Sequence, residues 1–216
     1  LEAQNNADML SFEAFRSSVI ADYRVALISR EVSLLGRREV LTGKAKFGIF
    51  GDGKEVAQVA IAKFFQKGDF RSGYYRDQTM MFALGVANVE TYFAQLYADT
   101  INDPFCGGKN MNSHFSTRFV LENGEWNNLT EQYNISTDIA PTAGQMARGL
   151  GLAFASKCFR KVDALSSLTH LSNQGNEVCF CTIGDASTSE GQFWEVINAA
   201  GVLQVPLVIF VYDDGY

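Results

Sequence analysis

Two short runs near the end of the chain constrain the fold most: VCFCTI over residues 178–183 and VPLVIFVY over residues 205–212. Each has the length of a strand, is rich in β-branched residues, and is apolar at consecutive positions, the pattern of a strand buried on both faces. Between them lies a helical pattern whose apolar stripe is Phe193, Val196, Ile197 and Ala200. Ser187 and Glu190 stand in capping-box spacing at its start. Strand, helix and strand together form one βαβ unit, which sets the two strands parallel with both carboxyl ends on the same rim of the sheet. The expected fold is therefore α/β, a parallel sheet flanked by helices.

That geometry places the Gly184-Asp185 turn beside Asp213, Asp214 and Tyr216. Carboxylates and backbone carbonyls gathered on one rim suit a hard cation such as magnesium, which takes one or two carboxylates, further oxygens and the phosphates of its ligand. A helix expected to begin at Ser189 turns its positive end toward the same rim, where a diphosphate is favoured. Ordinary strand-end turns are the plainer reading of these residues taken alone.

Upstream, Phe12, Phe15, Val19, Tyr23 and Leu27 recur at helical spacing and predict one long amphipathic helix from Asp8 to about Leu35. A second helix is expected from Lys54 to Gln66, stopped by Gly68, and a third after an N-cap at Asn88. Residues 102–138 are aperiodic and rich in Asn, Gly and Thr, a length of loop that tends to carry binding residues. Residues 144–159 resume a helix whose many small residues mark it as a core helix in preference to a subunit contact. Residues 160–176 are polar and turn-rich, a surface excursion that contains His170.

A chain of 216 residues with an apolar fraction of 47% is enough for one sizeable core. The net charge of -6, with both signs interspersed, offers no basic stripe to follow a nucleic acid or an anionic membrane. No apolar run approaches the roughly 18 residues of a spanning helix, and LEAQNNADML lacks the features of a signal peptide. The expectation is a soluble cytoplasmic protein, or one of the mitochondrial matrix in a eukaryote. Cys106, Cys158, Cys179 and Cys181 show no zinc spacing and read as reduced thiols.

The segment GDASTSEGQFWEVINAAGVLQVPLVIFVYDDGY resembles the thiamine diphosphate motif, which opens with Gly-Asp-Gly and closes nearly thirty residues later on a metal-binding Asn. Here the second glycine is Ala186 and the closing residue is Asp214. GDGKEVAQVAIA, residues 51–62, is similar to a Gly-Gln-Glu-Ala helix start, and GYYRDQTMMFALG, residues 73–85, to a Tyr-Arg segment. GGKNMNSHF, residues 107–115, resembles a glycine-rich stretch ending in Ser-Met-His. TAGQMARGLGLA, residues 142–153, resembles a segment whose backbone meets the aminopyrimidine. Together these resemble the alpha-type chain of thiamine diphosphate-dependent 2-oxo acid dehydrogenases, the decarboxylating component. The likeness extends from about Phe47, dividing the chain into an N-terminal helical segment, 1–46, and a cofactor-binding domain, 47–216. The literal Gly51-Asp52-Gly53 is a decoy, since the same spacing from Asp52 lands on Met81.

Carried over residue by residue, the resemblance implies magnesium ligands at Asp185, Asp214 and the Tyr216 carbonyl. It implies cofactor contacts at Phe47, Tyr75, Arg76, Ala140, Thr142, Gly184, Asp185, Ala186, Ser187 and Asp214, and a site histidine at His114. Ile49 stands where many relatives carry a diphosphate-binding histidine. The implied activity is oxidative decarboxylation of a small 2-oxo acid with acyl transfer to a lipoyl group. A beta-type chain or half supplies the activating glutamate and a lipoyl-bearing acyltransferase takes the acyl group, within an oligomer. Such a chain alone is expected to be incomplete, with the sheet edge beside VPLVIFVY uncovered. A transketolase-like or acetoin-cleaving enzyme of the same cofactor is the alternative, and a non-catalytic assembly module of the same fold is the other.

Overall fold

The computed structural model describes residues 11–213 and 215. Helix α1 (Phe12–Leu41) is capped by the Ser11 hydroxyl, which accepts a hydrogen bond from the Ala14 N–H at 3.2 Å. It runs beyond the predicted end at Leu35, and the apolar stripe that predicts it is not its buried face. Phe12, Phe15, Val19, Tyr23 and Leu27 are exposed, whereas Ser29, Val32, Ser33, Gly36 and Glu39 are buried. Small and polar side chains make this contact. Ser29 Oγ lies 2.7 Å from Thr79 Oγ1, the Gln78 amide donates to the Ser29 carbonyl at 2.9 Å, and Gly36 leaves the space that the Phe50 ring occupies.

Helix α2 (Glu55–Ala62) stops short of the predicted Gln66, and β1 (Phe70–Ser72) leads into α3 (Gln78–Ala83). Helix α4 (Val89–Leu96) begins as expected at Asn88, whose side chain accepts from the Thr91 N–H while Thr91 Oγ1 accepts from the Asn88 N–H, a complete capping box. The aperiodic loop that follows holds β2 (Asn134–Ile135). Next come α5 (Gly144–Lys161), β3 (Cys179–Gly184), α6 (Gly191–Leu203) and β4 (Leu207–Tyr212).

The four strands form one parallel sheet in the order β2-β1-β3-β4, so the βαβ unit read from the sequence is present with Cys179 opposite Leu207 and Gly184 opposite Tyr212. Strand β3 is central and buried on both faces, as its unbroken apolar run requires. Strand β4 departs from that expectation. It lies at the edge of the described sheet, with Val208 and Val211 exposed. In α6 only Val196 of the predicted stripe is fully buried, and Ile197 is exposed. Helix α5 is a core helix on one side: a Cβ at Gly149 would stand 3.3 Å from Cys181 Cβ, so the missing side chain sets the close approach of helix to sheet. No helix among the described residues is long and apolar enough to cross a membrane. The polar excursion includes one short 3-10 turn, Asp163–Leu165, and His170 there is half-buried.

All four cysteines are free thiols, and burial pushes Cys179 well up and Cys181 up to about 12. Thiolate is the reacting form. At neutral pH a thiol reagent is therefore expected to modify at most the half-buried Cys106 and Cys158 in the native protein, and all four after unfolding. Rapid native labelling of Cys179 or Cys181, read by mass spectrometry, would contradict this packing.

Candidate functional site

The carboxyl ends of β1 and β3 open on one cleft. It is lined by Tyr74, Tyr75 and Arg76 after β1, by residues 139–143 and Gln145 at the start of α5, and by residues 184–187 after β3. This is where a parallel sheet offers its backbone to ligands. Three segments remote in sequence thus bring together Tyr75, Arg76, Ala140, Thr142, Gly184, Asp185, Ala186 and Ser187. Phe47 and His114 are not among its lining residues, and Asp214 and Tyr216 lie outside the described residues.

Arg76 and Asp185 are the charged groups among the described lining residues. The Arg76 backbone is fixed from below. Its carbonyl accepts from Gln58 Nε2 at 2.6 Å, and the fully buried Gln58 also accepts from the Met80 N–H at 3.1 Å. A Cβ on Gly51 would stand only 2.7 Å from the same carbonyl. The first glycine of the decoy Gly-Asp-Gly is therefore a packing glycine that lets the backbone approach Arg76. The Arg76 guanidinium carbon lies 5.7 Å from the centroid of the Tyr75 ring, within cation–π range.

The second wall is strained. Ala143, buried just before α5, has φ of 60°, a left-handed conformation in which the Cβ costs roughly 1–2 kcal/mol. Such strain is held by the surrounding structure and gathers at functional sites. Gln145 donates through Nε2 to the Thr182 carbonyl at 2.9 Å, while its Oε1 is buried without a hydrogen-bond partner. A buried acceptor on a cleft wall favours a ligand that brings a donor.

On the third wall β3 ends at Gly184, and a 3-10 turn, Asp185–Ser189, precedes α6. The expected capping box does not form. Ser187 lies within the turn, its carbonyl accepting from the Glu190 N–H at 3.2 Å, and α6 begins at Gly191 with no side-chain cap. The chain must turn sharply from a buried strand, and that turn consumes the residues assigned to the helix start.

His114 is buried and pinned from both sides of its peptide: its N–H donates to Gln95 Oε1 at 3.0 Å, and its carbonyl accepts from Gln95 Nε2 at 2.9 Å. Its ring Nδ1 lies 3.2 Å from the Asn112 carbonyl. Asn112 in turn clamps Ile49, accepting from the Ile49 N–H at 2.9 Å and donating to its carbonyl at 2.5 Å. Phe47, 57% exposed, stands at the surface.

Sequence reasoning missed Arg71, Asp77 and Asp138, all buried beneath the cleft. The available signal was weak: Asp77 lies within the segment 73–85, while Arg71 and Asp138 stand a few residues before recognised segments. Burial alone would lower the Arg71 pKa, but Asp138 and Asp77 outweigh it and the net shift is upward. Asp138 is itself raised by its burial, against the pull of Arg71. A guanidinium stays protonated throughout the working pH range, so Arg71 is the fixed positive charge of the cluster.

The family model of the dehydrogenase E1 component matches residues 23–216. The chain belongs to that family. It is 27% identical over 199 residues to the 2-oxoisovalerate dehydrogenase subunit alpha of Bacillus subtilis, an alignment covering 90% of this chain and 50% of that protein. The mitochondrial 2-oxoisovalerate dehydrogenase subunit alpha of Caenorhabditis elegans is 24% identical over 174 residues, 81% of this chain and 34% of the relative. The mitochondrial pyruvate dehydrogenase E1 component subunit alpha of Dictyostelium discoideum is 25% identical over 166 residues, 76% of this chain and 35% of the relative. The chain thus spans half or less of these E1 relatives. Among the described residues no three His, Cys, Asp or Glu side chains are grouped to hold a metal by themselves.

Proposed function

We propose that this chain holds the diphosphate end of thiamine diphosphate, together with magnesium, in an enzyme that oxidatively decarboxylates a 2-oxo acid and passes the acyl group to a lipoyl arm. The observation that carries this reading is the convergence of Tyr75-Arg76, residues 140–142 and Asp185 on one cleft at the carboxyl end of a parallel sheet. Family membership supports the cofactor class.

The lining fits a magnesium diphosphate. Arg76 brings a planar fork suited to two phosphate oxygens, and Asp185 is a carboxylate at a strand end, where one or two such ligands plus phosphate oxygens satisfy magnesium. Asp214 and the Tyr216 carbonyl are proposed as its further ligands. The backbone of Ala140 and Thr142 would orient the aminopyrimidine, and Gln145 Oε1 is an acceptor within reach of the same wall. When bound, thiamine diphosphate supplies the electron sink that loss of carbon dioxide requires. The protein's part is to hold, orient and neutralise. His114 is proposed as a site histidine and Phe47 as a cofactor contact where a partner surface completes the site, since neither lines this cleft.

A beta-type partner that brings the activating glutamate, a lipoyl-bearing acyltransferase and assembly into an oligomer complete the proposal. The compartment would be the cytoplasm, or the mitochondrial matrix in a eukaryote. Calorimetric titration of the full-length protein with thiamine diphosphate should give saturable binding that disappears when magnesium is chelated. Absence of binding with the partner present would refute the reading. Arg76→Ala should weaken that binding by ~2 to 5 kcal/mol, the range for truncating one partner of a buried charge pair. Unchanged affinity would remove Arg76 from the diphosphate site.

A further inference from the structure

We propose that the buried ion network of Arg71, Asp77 and Asp138 is the positioning element of the cleft, holding its walls in the register that binds the cofactor. The inference rests on the cofactor reading above and extends it to residues that do not line the cleft.

Arg71 sits in the middle of β1 with no exposed surface, and the side chains of Asp77 and Asp138 are equally inaccessible. Its Nε donates to Asp77 Oδ2 at 2.7 Å, and its Nη2 donates to the Tyr74 carbonyl at 2.9 Å. The same Nη2 lies 2.6 Å from Asp138 Oδ1. Asp77 occupies the N-cap of α3, yet its side chain makes no capping bond. Instead its Oδ2 takes Arg71 and the hydroxyl of Thr182 on β3. A good local cap is forgone for a long-range contact.

Each wall of the cleft is anchored to this network within a few residues. Tyr75 and Arg76 lie between Tyr74 and Asp77, both bonded to Arg71. Ala140 follows Asp138 by two residues, and Asp138 Oδ2 also accepts from the Phe115 N–H at 3.0 Å, which ties in the His114 loop. Asp185 follows Thr182 by three residues. The network is packed too tightly for slack: a Cβ on Gly73 would lie 2.3 Å from Asp77 Oδ2 and 2.4 Å from Arg71 Nε. Arg148 completes its charge balance, donating to Ser72 Oγ at 2.9 Å and to the Thr137 carbonyl at 2.6 Å.

Buried ion pairs contribute little net stability compared with apolar groups of similar volume. Their directional bonds fix geometry instead. The network thus links β1, the loop after β2, β3 and the start of α3 at the level just beneath the rim, where a small displacement of Arg76 relative to Asp185 would open the span that a diphosphate must bridge.

The test compares full-length wild-type protein with the charge-neutral triple variant R71M/D77N/D138N and with R71K, measuring thiamine diphosphate affinity with magnesium by calorimetry and the thermal midpoint of the free protein. The triple variant removes the three mutually paired charges together, leaves Arg148 its bonds to Ser72 Oγ and the Thr137 carbonyl, and should keep its midpoint near wild type. Its affinity should fall on the order of 10- to 100-fold, as when outer-shell partners of a ligand site are lost. R71K keeps the charge without the fork and should recover only part of that loss. Adding R76A to the triple variant should cost less than R76A costs alone, since both act on the same wall. Wild-type affinity in the folded triple variant would overturn the positioning role while leaving the cofactor reading intact. A wild-type protein that binds no cofactor would overturn both. If the triple variant fails to fold, R71K decides alone, and an unchanged affinity there overturns the proposal.

Discussion

Replacing Asp185 with alanine is expected to abolish magnesium-dependent binding of thiamine diphosphate. Asp185 follows the last residue of β3, a buried strand, and is the acidic residue among the described lining of the cleft. A strand paired on both edges, to β1 and to β4, cannot easily move its end, so a carboxylate placed there is presented in a fixed position. Magnesium demands near-octahedral oxygen geometry, and a fixed carboxylate satisfies that demand with little reorganisation. Loss of a direct ligand should exceed the roughly 10- to 100-fold penalty typical of removing an outer-shell partner. Titration of Asp185→Ala with the cofactor, at rising magnesium, checks this, and the far-ultraviolet circular dichroism should stay that of wild type because Asp185 is only half-buried. Tight binding by the folded variant would exclude Asp185 as the principal metal ligand.

How much of this was legible in the sequence depends on whether the signal was local. The runs that became β3 and β4, and the Asn88 cap of α4, each declare themselves within a few residues, and the structure has them with boundaries shifted by one or two. Strand β1 could not be read so. Its three residues, Phe70, Arg71 and Ser72, are all buried, but an arginine at the centre signals a surface until its partners are known. Those partners are Asp77 and Asp138, and the second lies in a different loop far along the chain. Helix α1 misleads for the opposite reason: the apolar stripe from Phe12 to Leu27 is exposed, and Val32 with serines, a glycine and a buried Glu39 makes its contacts. Glu39 is tolerable there because Lys44 and the Tyr97 hydroxyl donate to it at 3.2 and 2.8 Å.

The site shows the same division. Tyr75, Arg76, Ala140, Thr142 and Asp185 were reachable through resemblance, since each sits in a segment with a recognisable pattern, and the sheet topology explains why such distant segments meet. Their support was not reachable. Gln58 beneath the Arg76 carbonyl, Gln145 between cleft and β3, and Asp138 of the ion network bond to partners many residues away, so even a recognisable segment around the residue does not reveal the contact. Long-range polar contacts leave no local trace because their residue types are equally at home on a surface. Only the requirement that buried polar groups be satisfied identifies them, and that requirement acts on a fold already assembled.

The second large effect concerns turnover. The described lining of the cleft contains no glutamate, and its charged groups, Arg76 and Asp185, are those suited to a magnesium diphosphate. Activating the aminopyrimidine is general acid–base work, worth typically 10²- to 10⁴-fold when a positioned side chain performs it. On the proposed reading that side chain comes from a beta-type partner or half. Phe47, matched by resemblance to the cofactor pocket, is 57% exposed, as expected of a residue that completes its surroundings by meeting another surface. Without that opposing surface the reacting end of the cofactor would stay in water, and the protein dipoles that should replace solvent would be missing. Decarboxylation of pyruvate and of branched-chain 2-oxo acids, followed with an artificial electron acceptor, should therefore be slower by on the order of 10²- to 10⁴-fold for this chain alone than for the same chain with its partner. Cofactor binding through the diphosphate should persist in both samples, which separates loss of chemistry from loss of the site. Equal turnover in the two samples would mean that a complete catalytic set resides in these residues and that the shared-site reading is wrong.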